Sequence, residues 1–178
     1  VIRRGLDALY AAGAAMAALS LLGIFLVMMA QVAMRALNLQ FPGADDISAY
    51  LCVATTFFAL ALTFKRGELI RVGLLLEKLP PGPRRVMEMV ALTLAAIGCA
   101  YAVWWTADDV LFSIEIEDMA QGALAIPLWI PKLAMPLGAG VLLVAVLDEL
   151  ATVIRGGRPN YVIAAEERAA RGDFSAEV

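Results

Sequence analysis

The chain contains no histidine. Histidine is the one side chain whose ordinary pKa lies near neutral pH, so bis-His haem ligation, His metal sites and His general bases are excluded together. Cys52 and Cys99 both lie inside apolar stretches. They show neither a metal spacing nor a disulfide framework and are expected to act as small hydrophobes. No glycine-rich phosphate loop and no Ser-nucleophile elbow occurs. What remains is acids in pairs (Asp45-Asp46, Asp108-Asp109, Asp148-Glu149) and bases in runs, chiefly Lys65-Arg66 with Arg71, and Arg84-Arg85. An acid inside a membrane span is the usual mark of an ion or proton path. Asp148-Glu149 is placed for that role, but Arg155 follows within about two helical turns, so an interfacial position with local pairing is expected. The sequence supports no catalytic constellation, and no cofactor, metal or nucleic-acid partner is expected.

The elements that must hold these charges are apolar. Hydrophobic residues make up 62% of the chain and the mean hydropathy is +0.80, against about 45–50% apolar in a soluble domain. Four stretches hold no Asp, Glu, Lys or Arg: Ala8 to Met34, Ile47 to Phe64, Met89 to Ala107 and Leu133 to Leu147. About 20 apolar residues of helix cross a hydrocarbon core. The expected fold is therefore an all-α integral membrane protein with four transmembrane helices, over approximately 8–34, 46–65, 87–107 and 130–152. Residues 1–155 form the membrane domain and 156–178 a polar cytoplasmic tail. The first apolar run exceeds the 7–15 residues of a signal-peptide core, so it is expected to be a retained span. No internal repeat points to an inverted-repeat transporter.

Charge sets the expected orientation. Twelve of the fourteen Lys and Arg fall at the N-terminus, in the second loop or in the tail, and only Arg35 and Lys132 fall in the other two loops. Those two loops carry seven acids. Lys and Arg beside a span resist translocation, so both termini are expected in the cytoplasm, N-in and C-in. Between helices 2 and 3, Leu69, Val72, Leu76 and Leu79 share one helical face, which suggests a short amphipathic interfacial helix ended by Pro80-Pro81-Gly82-Pro83. Asp45 and Asp46 stand where the second helix starts and are expected to cap it and complement its dipole, or to meet a partner. Arg84 and Glu88 are expected to pair. Ser48, Cys52, Thr55, Ala59 and Thr63 recur at steps of three and four and form a small, weakly polar helix-packing stripe. Trp129 and Lys132 suit a membrane interface, where Lys can snorkel.

Several pieces together resemble the small membrane subunit, the DctQ-like Q component, of tripartite ATP-independent periplasmic (TRAP) transporters. They are Gly43-Ala44-Asp45-Asp46-Ile47, Lys65-Arg66-Gly67-Glu68-Leu69-Ile70-Arg71-Val72, Leu79-Pro80, and Ile126-Pro127-Leu128-Trp129-Ile130-Pro131. The resemblance runs from about Leu6 to Arg155. Relatives often carry His where this chain has Leu69. The resemblance implies a sodium-coupled importer of organic acids such as C4-dicarboxylates or sialic acids. In it a periplasmic binding protein captures substrate, a large M subunit moves it, and the small subunit enlarges the static scaffold in the bacterial inner membrane, in contact with lipid. Asp45, Asp46, Arg66, Arg71 and Trp129 are the contacts expected with these partners.

The missing mid-span charges fit a scaffold that transports nothing itself. One rival is a self-contained small exporter or antiporter acting as an oligomer, with Asp148 or Glu149 as its acid. Another is the membrane anchor of a redox enzyme, in which case the absence of His argues against bound haem.

Overall fold

The computed structural model describes residues 2–66 and 81–157. Four long helices and one short one occur there: α1 (Ile2–Ala36), α2 (Ala44–Arg66), α3 (Pro81–Glu115), α4 (Trp129–Lys132) and α5 (Ala134–Ile154). Four helical stretches are long and apolar enough to cross a membrane, with Trp129–Ile154 counting as one. Extended structure among the described residues is limited to one isolated bridge between Met119 and Pro127. The expected interfacial helix, with Arg71, lies outside the described residues, as does the tail from residue 158.

The breaks between elements have local causes. Asn38 takes the left-handed conformation (φ 56°) after α1, and Gly43 does so (φ 83°) before α2. The Gly43 carbonyl accepts the Ile47 amide at 3.0 Å and so opens the α2 ladder. Pro83 and Pro136 fall in the first turns of α3 and α5, where a missing N–H costs nothing because those amides have no intrahelical partner.

The third helix is longer than its charge-free run. α3 continues through Asp108 and Asp109 to Glu115, so these acids ride on a helix and not in a loop. Its 35 residues rise about 52 Å, against a hydrocarbon core of about 30 Å. No Gly or Pro follows Gly98 within α3, and charge marks where a helix leaves the oil without ending it.

The helices form a row. Among the described residues α1 packs on α2, α2 on α5 and α5 on α3, with a smaller contact between α1 and α5 and no comparable one between α1 and α3. Gly138 permits the central contact: a Cβ there would lie 2.6 Å from the Phe57 carbonyl on α2. The buried core gathers Tyr10, Ala61, Phe64, Leu92, Ala96, Ala145, Val146 and Val153, drawn from all four long helices. Large apolar side chains cover the free faces of the edge helices, among them Leu19, Phe25 and Val32 on α1 and Leu94, Ile97 and Trp104 on α3. Such surfaces suit lipid or another membrane helix, not water.

Candidate functional site

The charged residues gather at the two ends of the row. Asp7 of α1 meets Lys65 of α2 at 2.5 Å, and Arg85 at the start of α3 reaches the end of α5. This is the basic end. Gln31 of α1 meets Asp45 of α2, and Asp46 meets the segment between α3 and α4. This is the acidic end. The four long helices therefore alternate in direction, with the start of α1 and the finish of α5 at one end.

At the acidic end, Lys132 is the central cation. Its Nζ donates to Ser113 Oγ at 2.6 Å and lies 3.0 Å from Asp109 Oδ2 and 4.0 Å from Asp118 Oδ2. It thus ties α4 back to the last turns of α3. Its three partners make this lysine a clamp at the acidic end. A like-charged acid near a helix C-terminus is unfavourable, and Lys132 offsets that for Asp109. The two acids expected to cap α2 bond elsewhere: Asp45 Oδ1 accepts Gln31 Nε2 at 3.3 Å, and Asp46 Oδ2 accepts the Ala123 amide at 2.9 Å. Their place in the first turn still suits the helix dipole.

At the basic end, Lys65 Nζ stands 4.3 Å from the centroid of the Tyr10 ring and pairs with Asp7, so one ammonium holds α1 to α2 through charge and π-face together. Arg85 donates to the Val153 and Ile154 carbonyls at 3.0 and 3.1 Å. Both carbonyls belong to the last turn of the helix, where Val153 O also accepts the Gly156 amide at 3.0 Å and a cation complements the dipole. Glu149 is only 2% exposed and is the largest fully buried side chain among the described residues. Glu149 therefore lies on the core face of α5, between helices and near the end of that helix. Asp148 is half-buried, and Arg155 is exposed and enters no ion pair among the described residues.

The expected contact residues do not converge. Asp45, Asp46 and Trp129 lie at the acidic end, and Arg66, exposed, closes α2 at the other. The hydroxyls of the stripe bond within α2: Ser48 to Ala44 O, Thr55 to Leu51 O, and Thr63 to Ala59 O. Ser48 is buried and Cys52 is exposed, whereas the face of α2 turned to α5 carries Phe57, Ala61 and Phe64. The helical period sets the stripe on the opposite side from that contact. The Arg84 side chain, the expected partner of Glu88, lies outside the described residues. Among the described residues no group of His, Cys, Asp or Glu is placed to hold a metal ion.

A family model described as the DctQ component of tripartite ATP-independent periplasmic transporters matches residues 24–156. The chain belongs to that family. The match begins within α1 and runs past the end of α5, so the DctQ region includes the acidic end, every helix from α2 onward, and the basic end apart from the start of α1. The chain is also similar to the isethionate TRAP transporter permease protein DctMQ of Oleidesulfovibrio alaskensis, at 24% identity over 115 residues. That similarity covers 62% of this chain but only 17% of the relative's length. Four apolar helices and DctQ membership together make this a multi-pass membrane protein of a transport system.

Proposed function

We propose that this DctQ-family chain is the small, non-transporting subunit of a TRAP-type importer, a scaffold packed against a large M subunit. The M subunit carries the substrate and sodium sites, and a periplasmic binding protein supplies the substrate. The basic end faces the cytoplasm with both termini, and the acidic end faces the periplasm across the bacterial inner membrane. The substrate is an organic acid, such as a C4-dicarboxylate, a sialic acid or a related anion. The isethionate named for the similar permease, an organic sulfonate, falls in the same broad class.

One observation carries the reading. Between the two polar ends, none of the four apolar runs holds an Asp, Glu, Lys or Arg. An organic anion crossing a bilayer needs a counter-charge, an ion site or an interrupted helix near the midplane. This chain offers no mid-span counter-charge, so the path belongs to a partner. The test is sodium-driven uptake by vesicles holding the large subunit and the binding protein, with and without this chain. Uptake should fall sharply without it, and full, unchanged uptake would remove the proposal.

The burial of Glu149 favours a second reading, a self-contained oligomeric exporter or antiporter. Its position near the end of α5, and not at mid-span, weighs against that. Solute movement by the purified chain alone, abolished by Glu149→Gln or Asp148→Asn, would establish it.

A further inference from the structure

Residues 116–128 link α3 to α4 at the acidic end, and they are fastened at two places of different strength. At the base, the Asp118 amide donates to Ser113 O and the Leu128 amide to Asp118 O, both at 3.0 Å. The Lys132 clamp on Ser113 and Asp109 lies beneath them. At the crown, the segment folds on itself through the Ala120 amide and Ile126 O at 2.9 Å. It then meets the start of α2 through the bond from the Ala123 amide to Asp46 Oδ2 and through Leu124, which packs at Gly43. Gln121, Gly122 and Ala123 are exposed.

Gly122 shows how closely the carboxylate is seated. A Cβ on Gly122 would collide with the Asp46 carboxylate, and a Cβ on Gly43 would collide with Leu124. The crown thus rests on the start of α2, at Gly43 and Asp46. A hydrogen bond at an exposed site competes with water and is worth little net, and the half-buried Leu124 adds only a local contact, whereas the base is held by several bonds around a fully buried hydroxyl. Opening the crown breaks neither the Ala120–Ile126 bond nor the base.

We propose that residues 116–128 form a strap that opens at its crown and hinges on its base, with the Asp46–Ala123 bond as the catch. The inference concerns the mechanics of this chain and does not depend on the transport reading.

Site-resolved amide hydrogen exchange of the full chain in lipid nanodiscs tests it. The Ala123 amide should exchange at least about tenfold faster than those of Asp118 and Leu128, since local openings span free energies up to that of global unfolding. Asp46→Asn should speed Ala123 further and leave Asp118 and Leu128 unchanged. Gly122→Ala should do the same while keeping the charge at the start of α2, which separates the catch from any effect on the helix dipole. Lys132→Met should speed Asp118 and Leu128. A single common rate for all three amides would show one rigid unit and overturn the proposal. So would an Ala123 rate that neither Asp46→Asn nor Gly122→Ala changes.

Discussion

Lys132 donates to Ser113 at 2.6 Å, and the Ser113 side chain it satisfies is fully buried. Replacing the lysine would strand that hydroxyl and remove the cation beside Asp109. Lys132→Met should therefore cost about 1–3 kcal/mol, read as a fall in thermal stability in detergent. Ser113→Ala placed on top should restore part of the loss, because it removes the stranded group. A double mutant as unstable as the sum of the two single changes would deny the coupling.

Tyr10 presents the opposite case. Tyr10 is 3% exposed and lies under Lys65, and its buried hydroxyl makes no hydrogen bond among the described residues. A buried donor without a partner carries its desolvation cost unrewarded, so Tyr10→Phe should be neutral or stabilise by up to about 1 kcal/mol while the ring keeps its contact with the ammonium. The same unfolding assay reads it, and a marked loss of stability would mean that the hydroxyl has a partner in the membrane.

Gly138 and Gly140 lie two residues apart on α5 and should respond in opposite ways. A side chain at 138 meets the backbone of Phe57, which cannot swing aside, whereas a Cβ at 140 meets nothing within 4 Å. Gly138→Leu should separate α2 from α5 and cost more than about 3 kcal/mol, the upper range of overpacking. Gly140→Ala should be neutral or slightly favourable, as Ala is the better helix former. Folded yield and melting temperature of the two variants decide the matter.

Much of the architecture was readable because a bilayer imposes a simple rule: each crossing must be a long apolar helix. The four charge-free runs gave the helices, and turn residues such as Asn38 and Gly43 gave one of the breaks between them. The end of α3 was misplaced because Asp108-Asp109 marks depth in the membrane and does not stop a helix. The row order was hidden, since apolar faces differ little when lipid and protein are equally greasy. The stripe from Ser48 to Thr63 signalled small volume without saying which neighbour it meets. Asp46 and Ala123 are joined by the fold across the length of α2 and α3, and no local spacing reports such a pair. The burial of Glu149 depends on which face of α5 meets its neighbours, and that is set by the same hidden row order.

Orientation follows from the placement of charge. Asp45 and Arg66 are both exposed and stand at opposite ends of α2. With Cys52 and Cys99 replaced by Ala, Asp45→Cys should react with a membrane-impermeant thiol reagent added to intact cells, and Arg66→Cys only after the membrane is broken. The reverse labelling would invert the assignment of both polar ends.

The central claim is that this chain transports nothing alone. The most direct measurement is organic-acid flux into sealed liposomes that contain only this protein, under an inward sodium gradient. The flux should be no greater than that of empty liposomes. Gradient-dependent uptake by the chain alone would contradict it.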